Sequence, residues 1–144
     1  MIRKALFGVA PRTRLPADAY TPEVSARVYA RLAHDAAVAL AAGQAVVCDG
    51  VFAAARERDV LADVARDAGV PFTPVWLDAP AATLLTRVRG RHDDASDATE
   101  DVVRRQLTHG PPPSGWVLVD AAGSPEDTAA LALAAITGGA PHRS

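Results

Sequence analysis

Large side chains are scarce in this 144-residue chain. Two Trp, two Tyr and three Phe make up 5% of it, so a core has to be assembled from Val, Leu and Ala with few broad aromatic anchors. Cysteine is rarer still. Cys48 stands alone, which excludes an internal disulfide and a cysteine-built metal cluster; inside "AVVCDG" it reads as an inert buried thiol. Lysine is nearly missing: of fifteen basic residues, Lys4 is the one lysine and all the rest are arginine. No apolar run approaches the roughly 18 residues of a membrane span, and "MIRKALFGVAPRTRL" is too polar for a secretion signal. A formal net charge of −2 removes the electrostatic case for nucleic acid or an anionic membrane as the main partner. The histidines, His34, His92, His109 and His142, lack metal-ligand spacing, and no metal site is expected. These absences describe a cytoplasmic chain, long enough for one domain and too short for two ordinary ones.

What is present alternates between helical and strand-like patterning. "TPEVSARVYARLAHDAAVALAAG" predicts a long helix. Thr21 is its cap, Pro22 its first residue and Gly43 its stop, with Val24, Val28, Leu32, Ala36 and Leu40 on one stripe. "AVVCD" is a short continuous apolar run, as in a strand buried on both faces. A second helix is expected from about Ala53 to Ala68, with Val60, Leu61, Val64 and Ala68 facing the core. "FTPVWLDAP" predicts a strand, Pro80 opens a third helix, and a fourth is expected from Thr99 to about Thr108. "WVLVDAAG" predicts a last strand and its loop. "SPEDTAALALAAI" predicts a final helix capped by Ser124. This pattern is α/β, a parallel sheet wrapped by helices, occupying residues 1–137 with a disordered tail over 138–144. Three strands are few for such a fold, and the chain opens on a helix-like "MIRKALFG".

Ligands of an open parallel sheet bind beyond the carboxyl ends of its strands. Asp49, Asp78 and Asp120 each close an apolar run there. Each carboxylate can serve a site or cap the next turn; Asp78, just before Ala79-Pro80, favours capping, and Asp49 in "VVCDGVF" favours a site. Some chemistries are excluded. The "DG" at 49–50 lacks the preceding acid of a haloacid-dehalogenase-like phosphatase, because that position is Val47. No lysine follows the last strand as in a receiver domain, and no G-x-S-x-G is present. "RVRGRHDDASDATEDVVRRQL" sets Arg87, Arg89 and Arg91 just ahead of Asp93, Asp94 and Asp97. On a continuing helix, Arg87 and Arg91 share a face. Two guanidinium groups at a helix end loosened by Gly90 can grip phosphate oxygens. A solvated basic helix end neutralised by the three acids is the alternative. If the pair is a clamp, it is expected to matter for nucleotide and hardly for stability, with Arg89 as the silent neighbour.

"RLPADAYTPEVSARVYARL", the Asp that ends "AVVCD" with Val-Phe close behind, "WLDAP", "LLTRVRGR", "DASDAT", "VVRRQL" and "VDAAGSPEDT" together resemble the P-loop small-molecule kinase-like ATP-binding domains. The nearest type is the one fused behind aminoglycoside-phosphotransferase-like domains; gluconate kinases, zeta toxins and polynucleotide kinases share the wider fold. The likeness covers Ile2 to about Ile136. It implies a three-layer parallel sheet of P-loop kinase type, ATP and Mg2+ as cofactors, and an unnamed small-molecule phosphoryl acceptor. It implies that Arg87 and Arg91 are lid arginines over ATP, that Arg3 faces the acceptor, and that Asp49 lies near acceptor or magnesium. It places Ala121, Gly123 and Ser124 near adenine. A non-catalytic remnant or interaction module, and an ATPase switch without a dedicated acceptor, are the other functions compatible with these residues.

The family's opening strand, its G-x-x-x-x-G-K-[ST] phosphate loop and its second strand have no counterpart in the sequence. Lys4, preceded by Ile-Arg, is not the phosphate-loop lysine. Without these parts the sheet is expected to leave strand edges unpaired and to self-associate. Met1 falls where relatives carry Val, as a start codon inside a longer reading frame would; a genuinely shortened product is the alternative. The codons in frame ahead of Met1 are therefore expected to encode a strand, a glycine-rich lysine loop, a helix and a second strand ending in Asp. Sequencing the upstream DNA checks this, and a stop codon immediately before Met1 overturns it.

Overall fold

The computed structural model describes residues 2–10, 12–90, 103–104, 107 and 110–138. These described residues divide into two compact units, one ending at Phe72 and the other beginning at Thr73. The helix expected over Thr99–Thr108, the segment carrying Arg91, Asp93, Asp94 and Asp97, and the tail lie wholly or mainly outside the described residues.

The first unit is helical. A short helix, α1 (Ile2–Leu6), precedes a loop that contains a 3-10 turn at Ala17–Tyr20; two long helices follow, α2 (Pro22–Ala41) and α3 (Ala55–Asp67). Thr21 caps α2 as its sequence suggests: Oγ1 accepts the Val24 N–H at 3.3 Å and Pro22 occupies the first turn. α1 and α3 both pack on α2. Of the expected α2 stripe, Ala36 is buried and Val24, Val28, Leu32 and Leu40 are half-buried; Ala33, off that stripe, is buried as well. On α3, Leu61 and Ala65 are the buried residues, whereas Ala68 is exposed; four-residue spacing from Leu61 selects Ala65. Leu15, Ala19 and Phe52 complete this small core.

The second unit is a strand–helix–strand arrangement with a closing helix. β1 (Val75–Asp78) is followed by α4 (Ala81–Arg89), then β2 (Val117–Asp120) and α5 (Pro125–Ile136). The two strands pair in parallel, Val75 with Val117 through Asp78 with Asp120. Backbone bonds extend the ladder at both ends, from Val117 N–H to Pro74 O at 2.9 Å and from Ala121 N–H to Asp78 O at 2.6 Å. Trp76 and Trp116 meet edge to face, 6.3 Å between ring centroids and 75° between planes, a favoured aromatic geometry that fastens the two strands side by side. Val103, Val119 and Ala121 are its buried residues.

The structure differs from the expected three strands at residues 45–49. That run belongs to no strand, and the sheet among the described residues has two. Val47 is 90% exposed. Apolar continuity signals a buried strand only when partners on both sides accept its backbone N–H and C=O groups; without a ladder partner, this run does not enter the sheet. No helix among the described residues is long and apolar enough to cross a membrane.

Ser124 begins α5 with a reciprocal box. Its Oγ accepts the Asp127 N–H at 3.1 Å, and Asp127 Oδ2 accepts the Ser124 N–H at 3.2 Å. Ser124→Ala is expected to lower stability by about 1 kcal/mol and Ser124→Asp to restore most of it, measured by denaturant unfolding followed through helix content. An unchanged midpoint in Ser124→Ala would show that the cap contributes nothing.

Candidate functional site

At the carboxyl end of the two-stranded sheet, Asp78 and Asp120 stand in register. Neither acts as a helix cap. The cap position of α4 is Pro80, without a side-chain bond, so Asp78 does not cap the next helix. Asp120 turns its carboxylate onto its own loop, where Oδ1 accepts the Ala122 N–H at 2.8 Å. That bond is an Asx-type turn, which steers the chain from β2 into the stretch Ala121–Ser124.

Arg87 reaches the same stretch from α4. Its Nη1 donates to Ala121 O at 2.6 Å, and its Nη2 donates to Ala122 O at 3.3 Å and to Gly123 O. Three successive carbonyls thus converge on one guanidinium, which suits a planar group with five donors. Ala121 is buried while Ala122, Gly123 and Ser124 are exposed. Gly123 lies close to the α5 cap: a Cβ there would lie 3.3 Å from Asp127 Oδ2 and 3.4 Å from its Cβ. Arg87 and Ala122 also line, with Ala82, Thr83 and Thr86, an open depression on this unit. The sequence reading treats Arg87 as a solvent-facing clamp with hardly any part in stability; its carbonyl bonds give it a structural part as well. Arg89 is exposed, and Arg91 lies outside the described residues.

In the first unit, Arg3 is held by its surroundings. Nη1 donates to Ala19 O at 2.5 Å, Nη2 donates to Ser25 Oγ at 3.2 Å, and the guanidinium carbon lies 4.9 Å from the Tyr20 ring centroid. These contacts pin α1 to the 3-10 turn and the start of α2. Asp49 is exposed and sits in the loop that leads to α3. That loop contains a feature the sequence reading did not single out. Phe52 has a positive φ of 46° and is buried. Its N–H donates to Tyr29 Oη at 2.9 Å, and its C=O accepts Arg58 Nη1 at 2.6 Å. Burial pushes the Tyr29 hydroxyl above the ordinary tyrosine range, against the opposing pull of the Phe52 N–H. The one clue in the sequence is a phenylalanine directly behind a loop that begins Asp-Gly. Cys48 is half-buried and its thiol is likewise pushed up by burial, away from the range of a reactive thiolate. Among the described residues, no group of three His, Cys, Asp or Glu could hold a metal ion.

A family model described as an AAA domain matches residues 1–113. No curated protein and no solved structure matches the chain.

Arg87→Ala removes three bonds from a charged donor to one loop. The expected result is a loss of about 1 kcal/mol in stability, below the usual range for charged hydrogen bonds because part of the site is exposed. Amide exchange at Ala122–Ser124 is expected to rise with it. Arg89→Ala serves as the comparison and is expected to leave those amides unchanged; an equal rise in both variants would show that the loop is ordered without Arg87.

Proposed function

The chain belongs to the AAA domain family, and from that premise we propose that it is part of an ATP-dependent small-molecule phosphotransferase domain. The family is P-loop NTPase-like and generally binds ATP with Mg2+. The finer reading rests on one observation above the others. Arg87 and the Ala121–Ser124 loop are the two described stretches assigned to nucleotide by resemblance, and within a single unit they are bonded to each other across 34–36 residues of sequence. A guanidinium set among carbonyls beyond the carboxyl end of a parallel sheet suits a nucleotide. Its remaining donor capacity can meet phosphate oxygens, and exposed carbonyl oxygens can accept an amino group of a base.

ATP bound there would supply the γ-phosphoryl group. The protein's own part is to hold and orient: Arg87, joined by Arg91, would balance phosphate charge. In the other unit Arg3 would orient the acceptor and Asp49 would support it. Among the described residues no cluster of three His, Cys, Asp or Glu could hold Mg2+; Mg2+ commonly keeps its waters and leans on substrate phosphates with one or two carboxylates. The absence of a G-x-x-x-x-G-K-[ST] stretch from the sequence is the one observation that favours the second reading, a non-catalytic module of the same fold.

Titration of the chain with Mg-ATP, followed by amide NMR, tests the first reading. Saturable shifts are expected at Ala121–Ser124. Arg87→Ala is expected to weaken them about tenfold or more, the scale of one charged hydrogen-bonding group, while Arg89→Ala leaves affinity within about twofold. No saturable response at millimolar Mg-ATP, or an equal loss in Arg89→Ala, overturns the nucleotide assignment and leaves the non-catalytic module.

A further inference from the structure

The loop that bears Asp49 is fastened more tightly than a connection between helices requires. Phe52 is the non-glycine residue with positive φ among the described residues, at 46°. A bulky side chain rarely adopts that conformation, and it persists only where the surroundings over-determine it. Here they do so from two helices. Tyr29 on α2 accepts the Phe52 N–H at 2.9 Å and places its ring 5.2 Å from the Phe52 ring, tilted by 47°. Arg58 on α3 donates from Nη1 to Phe52 O at 2.6 Å and to Ala53 O at 2.9 Å. The peptide groups on both sides of Phe52 are therefore bonded to side chains of different helices, and the ring between them is buried.

The constraint extends back to Asp49 through Gly50. A Cβ at Gly50 would lie 3.3 Å from Phe52 Cε2, 3.4 Å from its Cζ and 3.5 Å from Tyr29 Oη. The Gly50 backbone thus lies against the Phe52 ring and the Tyr29 hydroxyl together. Whatever sets Phe52 therefore also constrains the backbone immediately after Asp49. Simple packing would need only the two rings. The hydroxyl's bond to a backbone N–H, and the arginine's bonds to the carbonyls behind it, fix a backbone conformation as well.

We propose that Tyr29 is a positioning residue for Asp49: with Arg58 it holds Phe52 in the left-handed conformation and so presents the Asp49 carboxylate in one orientation. This rests on the proposed acceptor-side role of Asp49 and deepens it, because a carboxylate that orients an acceptor hydroxyl has to be held still. Burial raises the Tyr29 hydroxyl above the ordinary tyrosine range, so it remains a neutral phenol well into alkaline pH.

The test is NMR of the full 144-residue chain, as wild type, Tyr29→Phe and Arg58→Gln. In the wild type the Phe52 amide, outside any helix or strand, is expected to exchange slowly, and Asp49 is expected to give a single sharp carboxyl signal. Tyr29→Phe keeps the ring and removes the acceptor. It is expected to speed Phe52 exchange about tenfold, the scale of one hydrogen bond, and to broaden or split the Asp49 carboxyl signal, while the Leu61 and Ala65 amides stay as they were. A general loss of stability would move Leu61 and Ala65 too. Arg58→Gln is expected to broaden the same Asp49 signal from the other side of Phe52. The proposal is overturned by a Phe52 amide that already exchanges at the open-chain rate in the wild type, a result that needs no variant to fold. It is equally overturned by an Asp49 signal that Tyr29→Phe leaves single and sharp. Failure of the nucleotide reading is seen separately in the Mg-ATP titration and leaves these signals untouched.

Discussion

Two four-residue strands in parallel register govern the second unit. A parallel pair cannot be closed by a hairpin, so the chain must leave β1, cross over, and return beside it. That requirement brings Asp78 and Asp120 to the same end and makes the loop after β2 the place where the chain reverses. Everything of chemical interest there descends from the pairing. Asp120 bends the loop through the Ala122 N–H. The bent loop turns three carbonyls toward one point, and Arg87 fills that point. A slip of one residue in register would send Val119 from the core to solvent and scatter the carbonyls. The tryptophan pair beside the ladder matters for this reason, as it is the heaviest anchor in a unit otherwise built from Val, Leu and Ala.

In the first unit α2 has the corresponding role. Its capped start fixes the helix, its small buried residues let α1 and α3 approach, and two of its polar groups reach away from the stripe to hold other parts. Ser25 receives Arg3 and Tyr29 receives Phe52. One helix therefore holds both Arg3 and the loop that carries Asp49, the two residues proposed for the acceptor side. Arg3 is engaged by Ala19 O and the Tyr20 ring too. An acceptor contact by Arg3 would draw on a side chain whose direction is already set, which lowers the entropy lost on binding.

Local signals were legible wherever the cause was local. Thr21-Pro22 and Ser124-Pro125 begin helices because a hydroxyl one residue ahead of proline answers the free N–H groups of the first turn. The two strands that did form each carry an aromatic or β-branched run ending in Asp. The stretch Ala45–Asp49 misled because an apolar run specifies burial, whereas membership of a sheet is a property of the neighbour, and Val47 stands exposed for lack of one. Arg87 stood out as a candidate from its charge, its spacing and the family resemblance. Its attachment to carbonyls more than thirty residues away was not legible, since no local pattern encodes a partner at that separation. Tyr29 was hidden for a related reason. On a helical wheel it is merely the residue after Val28, and only the fold places its hydroxyl under Phe52.

The three arginine sites follow one principle. In this chain arginine does the work that lysine is too scarce to share, and the described structure uses its fork to gather backbone carbonyls: Arg87 takes three in one loop, Arg58 takes two in another, and Arg3 takes one beside a hydroxyl. A lysine ammonium is a compact point charge without that planar reach. Loops that lack ladder partners are thereby ordered by side chains, and these are the loops where Asp49 and the Ala121–Ser124 stretch sit. Because the ordering group is itself cationic and partly exposed, an anionic ligand arriving at the Ala121–Ser124 loop meets a charge already oriented by the protein. The carbonyls that hold Arg87 in the meantime are neutral, so a phosphate competes with dipoles and not with a buried carboxylate. In the proposed nucleotide role, that difference would let Arg87 serve first as a structural tie and then as a ligand contact without leaving an uncompensated acid behind.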